Sequence, residues 1–325
     1  MTETLPGVTV IIAARPDQTE IKSVDAARQL DYPRDLLQII VARGKQPSVQ
    51  RNAALKAARG EWIYFLDDDS VPPPDNLRRA LKSFADPQVQ MVGGPNLCPS
   101  DAPVLEQIFA LTLSSWLAFG PSRARYTRVG EARAAGEKEL ILCNLAARRA
   151  PLLELGGFNE LLYPNEENAL MDELQKRGGK LIYDPQFIVH RRPRSNFKSF
   201  CKMLRTYGRG RAEQFRVHPT FGSALNFVPP LFCVYLGALV FILIFAPPLI
   251  SEIALVPLAF YALAVILQTL ALVPLGGIVK SFCALPFIVL THLLYGLGFW
   301  LGLFTKLKTA GERPKISVAL EIIQT

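Results

Sequence analysis

Three consecutive carboxylates, Asp67, Asp68 and Asp69, follow the apolar run Trp62 to Leu66. Like charges this close repel one another, and a divalent cation held by oxygen ligands relieves that repulsion. A turn or helix N-terminus relieves it too, and Ser70 with the prolines at 72 to 74 fits that reading. The position directly behind an apolar strand favours the cation. A second acidic pair, Glu166 and Glu167, opens a helix-like stretch from Asn168 to Arg177. The helix dipole alone accounts for carboxylates there; so does a general base that takes a proton from an acceptor hydroxyl. His190 closes the apolar run FIVH, either as a structural residue or as a ligand completing a metal set with the Asp cluster.

The elements that must position these groups are readable nearby. VTVIIA (Val8 to Ala13), LLQIIV (Leu36 to Val41) and WIYFL (Trp62 to Leu66) are short, continuous apolar runs, the character of strands buried on both faces. Helical stretches, Glu20 to Gln29 and Val49 to Ala58, separate them. This alternation predicts an α/β domain with a Rossmann-like, mainly parallel sheet, whose ligands collect at the carboxyl ends of the strands. Pro103 to Phe119 reads as an apolar helical piece, packed on the domain or lying against a bilayer. Arg123 to Glu139 reads as a loop over the site.

Of the 325 residues, 36 are Lys or Arg and 28 are Asp or Glu. The surplus of eight has a location: nine basic residues and one acid, Glu213, lie between Arg191 and Val217. Behind this block, Asn226 to Thr305 carries only two charges, Glu252 and Lys280. Each intervening run is long enough to cross a bilayer. A basic collar beside apolar spans points to a membrane surface rather than to nucleic acid. Within it, Phe197, Phe200, Cys201 and Leu204 form an apolar stripe beside Lys198, Lys202, Arg205 and Arg209, the pattern of an interfacial helix. Tyr207 to Arg211 (YGRGR) reads as flexible backbone between two guanidiniums suited to phosphate, Arg209 and Arg211. The five cysteines are scattered, with neither disulfide framework nor zinc spacing. The N-terminus has no secretory pattern, so the first part of the chain is expected in the cytosol. Three spans would carry Lys306, Lys308, Arg313 and Lys315 to the far side, against the positive-inside tendency.

The succession VTVIIA, QRNAALKAARGEWIYFLDDDS, CNLAARR, LGGFNELLYPNEENAL and RGGKLIYDPQFIVH resembles glycosyltransferase family 2, the inverting nucleotide-sugar transferases of GT-A fold, from Val8 to about Arg216. The following FCKMLRTYGRGRAEQF resembles the membrane-attached branch that includes succinoglycan-type exopolysaccharide glucosyltransferases. The resemblance implies that Asp67 and Asp69 form the Asp-x-Asp motif, which binds the donor diphosphate through Mg2+ or Mn2+. It implies Glu167 as the base for direct displacement at the anomeric carbon, with Glu166 as its neighbour, His190 as a possible metal ligand, and Asp68 near donor ribose or sugar. Arg51 and Asn52 match the Arg-Asn before the third strand and are read as structural and donor-loop support.

Two loops depart from the family pattern. Ala13-Ala14-Arg15-Pro16-Asp17 stands where Pro-x-x-Asn-Glu is usual, leaving Asp17 as the donor-binding acid. Ala42-Arg43-Gly44-Lys45 replaces an acidic loop; Arg43 and Lys45 face donor phosphate, an acidic sugar or solvent. The expected organisation is a cytosolic GT-A catalytic domain over 1–190, a basic interfacial segment over 191–224, two to three spans over 225–305 and a tail over 306–325. The expected activity is metal-dependent transfer from a nucleotide sugar, a UDP-sugar foremost, to a polyprenyl-linked acceptor at the inner (plasma) membrane, with no nucleic-acid partner. Direct transfer to polyprenyl phosphate is the alternative within enzymes, and a non-catalytic scaffold or nucleotide-sugar sensor the alternative outside them.

Overall fold

The computed structural model describes residues 5–162, 166–217, 219, 221–307 and 317–323. It divides into two units. One is made of Met1–Pro99, Pro121–Arg192 and Lys308–Thr325, the other of Ser100–Gly120 and Pro193–Leu307.

The first unit is built on strands β1 (Val8–Ala14), β2 (Leu37–Arg43), β3 (Trp62–Asp67), β4 (Val89–Gly93), β5 (Asn96–Leu97), β6 (Arg133–Ala134), β7 (Asn144–Arg148), β8 (Lys180–Tyr183), β9 (Val189–His190) and β10 (Ala319–Ile323). Its helices are α1 (Lys22–Arg28), α2 (Pro47–Ala57), α3 (Asn76–Phe84), α6 (Arg149–Glu154) and α7 (Glu166–Lys176). Eight strands form one sheet in the order β10-β2-β1-β3-β7-β4-β8-β6, and β5 pairs with β9. β1 runs parallel to both β2 and β3, whereas β7 is antiparallel to β3 and β4.

The apolar runs dictate this arrangement. Six of the seven β1 residues are buried, so both faces of the sheet need a cover. Val8, Val10 and Ile12 share a cluster with Ala27 of α1 and with Leu77, Ala80 and Phe84 of α3. Ile11, Ile40, Ile63 and Phe65 point the other way, onto Ala54 and Leu55 of α2, Leu152 of α6 and Leu170, Met171 and Leu174 of α7. Each fully buried Ile or Leu contributes roughly 1.5–3 kcal/mol, so register is strongly fixed. The stretch 306–325, expected as a separate tail, instead supplies β10, which runs antiparallel to β2 and covers that edge of the sheet.

The second unit is helical: α4 (Val104–Leu113), α5 (Trp116–Phe119), α8 (Phe197–Val217), α9 (Val228–Phe245) and α10 (Pro248–Phe304). Two of its helices are long and apolar enough to cross a membrane. They leave large apolar side chains outward, among them Phe241 and Phe245 of α9 and Ile278 and Val279 of α10, a surface unsuited to water. Gly277, at φ 75°, interrupts the helical backbone of α10 and divides it in two. The break falls near Lys280 and not at Glu252, so charge was only partly a guide to where the helices end.

Of the α8 stripe read as interfacial, Phe200 and Leu204 are buried within this unit and Cys201 partly so, whereas Phe197 is exposed. Phe200 stacks on Phe109 of α4 with ring centroids 4.1 Å apart, while Lys198, Lys202 and Arg205 stay exposed. YGRGR is not flexible; it is continuous helix. Its glycine at 208 permits close approach, since a Cβ there would lie 2.0 Å from the Tyr295 carbonyl oxygen. Gly298 and Gly302 of α10 do the same for the carbonyls of Arg205 and Arg209. The Arg209 guanidinium pairs with Glu213 at 3.3 Å, and Arg211 donates to Gln214 at 3.1 Å. His292 is partnered among the apolar helices: its Nδ1 accepts from the Tyr261 hydroxyl at 2.8 Å and its Nε2 donates to the Leu117 carbonyl at 2.9 Å, which fixes the α5 backbone to α10.

Candidate active site

Because β1, β2 and β3 are parallel, their carboxyl ends share one edge, with Ala14 opposite Arg43 and Ala13 opposite Asp67. The buried Gln50 of α2 ties two of these ends together, donating to the carbonyls of Ala14 at 2.7 Å and Ala42 at 2.6 Å. Gly44 leaves room for it: a Cβ there would lie 2.9 Å from Gln50 Cγ. Arg43 braces the loop after β1 by donating to the Gln18 carbonyl at 2.7 Å, and it pairs with Glu321 of β10 at 3.1 Å. Asp17 and Lys45 are exposed on the two loops. The neighbour of Asp17, Gln18, is the residue hydrogen-bonded to Asp68.

Asp67 closes β3, and Asp68 and Asp69 follow in a turn. Two guanidiniums meet them. Arg51 of α2, almost wholly buried, reaches Asp67 Oδ1 at 3.0 Å and Glu166 Oε1 at 3.3 Å. Arg191 reaches Asp67 Oδ2 at 3.3 Å and donates through Nε to Asp69 Oδ1. Burial raises the Asp68 carboxyl above its ordinary value, the Gln18 hydrogen bond opposes this, and Asp69 and Asp67 add to it. Burial also works against the charge on Arg191, but Asp67 and Asp69 overcome it and hold the guanidinium protonated.

Arg191 comes to this position through a buried network. Asn76 Nδ2 donates to the Tyr64 hydroxyl and to the Ile188 carbonyl, at 3.0 and 2.7 Å. Asn144 accepts from Tyr64 at 2.9 Å and donates to the Phe187 carbonyl at 2.5 Å. The chain leading into β9 is thereby fixed against β3. His190 exchanges backbone hydrogen bonds with Val71, both at 2.9 Å, so it lies beside the Asp turn, with its side chain exposed.

The second acidic pair is positioned by Asn52. Its amide donates to the Phe158 carbonyl and to Glu160, both at 2.9 Å, and accepts from the Phe158 N–H at 2.8 Å. Gly157, at φ 81°, passes so close that a Cβ would lie 2.3 Å from Asn52 Oδ1; only glycine meets both demands. Beyond this loop, Glu166 and Glu167 open α7. Glu166 is buried against Arg51. Burial, with Glu167 next to it, pushes its carboxyl up to about 7 in spite of Arg51. Glu167 is half-exposed. Residues 163–165 of the LLYPNEENAL motif lie outside the described residues.

The fold therefore gathers Asp67, Asp68, Asp69, Glu166, Glu167 and His190 around one end of the sheet, with Arg43 two strands from Asp67, on the far side of β1; Arg209 and Arg211 belong to the helical unit. Gln50 and Arg191 are contributors that the sequence did not single out. Arg191 is adjacent to His190, but its partners lie more than a hundred residues earlier, beyond any local pattern. For a divalent cation, hard carboxylate oxygens are the right donors, and the carboxylates of Asp67, Asp68 and Asp69 outnumber the two guanidiniums beside them, Arg51 and Arg191. The site fits a dication on charge and donor type. Among the described residues, no group of three or more His, Cys, Asp or Glu side chains is placed to hold a metal ion by itself.

Comparison with known proteins agrees with this fold. The chain belongs to the glycosyltransferase-like family 2, whose profile matches residues 2–209. It is 28% identical over 180 residues, 54% of its length, to the pre-mycofactocin glycosyltransferase of Mycobacterium tuberculosis, covering 36% of that protein. It is 37% identical over 76 residues, 23% of its length, to the succinoglycan biosynthesis protein ExoO of Rhizobium meliloti, covering 22% of it. The match thus spans about a third or less of these relatives. Among solved structures, a mannosyltransferase of Pyrobaculum calidifontis in complex with GDP-mannose and Mn2+ superposes with a TM-score of 0.53 at 20% identity, over 93% of this chain and 88% of that one. That likeness is one of fold, and with it the expected GT-A type α/β sheet followed by long apolar helices is borne out.

Proposed function

We propose that this protein is an inverting glycosyltransferase that uses a divalent cation, Mg2+ or Mn2+, to move a sugar from a nucleotide-sugar donor to a polyprenyl-linked acceptor. The observation that carries the reading is Arg51, which joins Asp67 of the donor motif to Glu166 of the second acidic pair. One buried side chain thus couples the residues proposed to hold the donor to the helix proposed to carry the base.

On this reading Asp67 and Asp69 hold the cation, with His190 at its side. The cation supplies charge neutralisation on the diphosphate as it departs. Asp68, partly withdrawn from water, lies towards donor ribose or sugar. Glu166 stays fixed on Arg51, which leaves the more exposed Glu167 to take the proton from the acceptor hydroxyl. Asp17 is exposed beside the donor site, while Arg43, engaged by the loop after β1 and by Glu321, serves chiefly to hold that loop. A donor complexed in a structural relative supports the nucleotide-sugar class; a UDP-sugar is the first to test. The apolar exterior of α9 and α10 supports a multi-pass attachment to the inner membrane with the catalytic unit cytoplasmic. Arg209 and Arg211, on a helix of the same unit as those spans, are the proposed contacts for acceptor or leaving-group phosphate. No nucleic-acid partner is proposed.

The test is transfer of labelled sugar from a panel of nucleotide sugars, with Mn2+ or with chelator, after the panel has been ranked by metal-dependent thermal stabilisation. Wild type should transfer in a metal-dependent manner and Asp69→Ala should not. Stabilisation without transfer would favour the nucleotide-sugar sensor, and neither stabilisation nor transfer the non-catalytic scaffold.

A further inference from the structure

The donor motif already holds a cation supplied by the chain. The Arg191 guanidinium lies across both outer carboxylates, through Nη2 to Asp67 Oδ2 at 3.3 Å and through Nε to Asp69 Oδ1. Its approach is built: Asn76 and Asn144 fix the carbonyls of Ile188 and Phe187, and the bridge between Val71 and His190 holds the preceding residue. The side chain beyond this anchor is the adjustable part. Arg51 cannot be exchanged in the same way, because it is also tied to the buried Glu166.

We propose that Arg191 is a positioning residue that occupies the cation's place between Asp67 and Asp69 until the donor arrives, and then turns its guanidinium to the donor diphosphate. This rests on the reading of Asp67 and Asp69 as the metal-binding pair. Two consequences follow from charge alone. Without diphosphate, a dication must displace a guanidinium that has nowhere better to go, so the metal binds weakly by itself. With diphosphate present, the displaced guanidinium gains two anionic oxygens in a geometry its planar fork matches. Metal and diphosphate therefore bind cooperatively, and by linkage each strengthens the other by the same factor.

The experiment measures Mn2+ binding to the full chain in detergent by electron paramagnetic resonance of the free ion, with and without inorganic pyrophosphate as the diphosphate probe. Free Mn2+ is corrected for the Mn2+–pyrophosphate complex measured without protein. For wild type, pyrophosphate should tighten Mn2+ on the order of tenfold or more, the usual range of a coupling of 1–3 kcal/mol. Arg191→Gln should bind Mn2+ alone on the order of tenfold more tightly than wild type and lose most of the gain from pyrophosphate. Arg191→Lys, which keeps the charge, should still resist Mn2+ alone, and it separates a charge effect from a folding defect. Unchanged or weaker binding of Mn2+ alone in Arg191→Gln, with native circular dichroism, would overturn the proposal while leaving the metal reading intact. Should Asp69→Asn bind Mn2+ as wild type does under both conditions, the metal reading fails and this inference fails with it.

Discussion

Arg51 sets two carboxylates on one guanidinium, and the chemistry of Glu166 and Glu167 divides accordingly. Glu166 is buried and its carboxyl is raised to about 7. An acid whose folded value lies above its unfolded one keeps its proton in the native state over the interval between them, so stability falls as pH rises from about 4.5 to 7 and levels off above. Glu166→Gln should flatten that slope: the melting temperatures at pH 5 and pH 7.5 should lie closer together than in wild type. Glu167 is the residue proposed to move a proton. Glu167→Gln should lower kcat by about 10²–10⁴, the usual scale for a general base, with KM for the donor little changed. A much smaller loss would point to phosphate oxygen of polyprenyl phosphate as the nucleophile, which needs little deprotonation.

The elements carry these residues through contacts that sequence shows unevenly. The first three strands were legible because strands buried on both faces must be continuously apolar, and β1, β2 and β3 fall within two residues of their expected limits. The Arg-Asn of α2 was legible as a motif, but its two duties were not: Arg51 turns to the acids, Asn52 to the loop at Phe158. Asn52→Ala removes three hydrogen bonds from a buried loop and leaves the Phe158 amide without its acceptor. It should cost about 1–3 kcal/mol, read as a lower denaturant midpoint, and should reduce turnover because α7 follows that loop. The glycines of YGRGR were misread for a related reason. Local composition suggests flexibility, whereas the partner that makes Gly208 necessary, the Tyr295 backbone, lies in a helix the local sequence cannot indicate. Gly298→Leu should separate α8 from α10 and lower thermal stability in detergent without changing Mn2+–pyrophosphate binding. Equal loss of both would show that the two properties are not separable.

At the scale of the whole molecule, two units are strung on one chain that leaves the sheet after Arg192 and returns to it. Nothing in ALEII announced the return: it is short, mostly exposed, and its partner β2 lies nearly three hundred residues earlier. Its consequence is one of parity. A path that starts and finishes in a single folded unit crosses a bilayer an even number of times, however many helices lie between. α9 and the two parts of α10 divided at Gly277 are three helices, so on the proposed membrane attachment not all three make one full crossing each. On the same proposal an even count brings Lys306 back to the side of the catalytic unit, which removes the conflict with the positive-inside tendency; Lys308, Arg313 and Lys315 lie outside the described residues. With the five native cysteines replaced, Asp35→Cys and Ser317→Cys should react with an impermeant maleimide from the same face of sealed vesicles. Labelling from opposite faces would mean that β10 and β2 are not paired in the membrane.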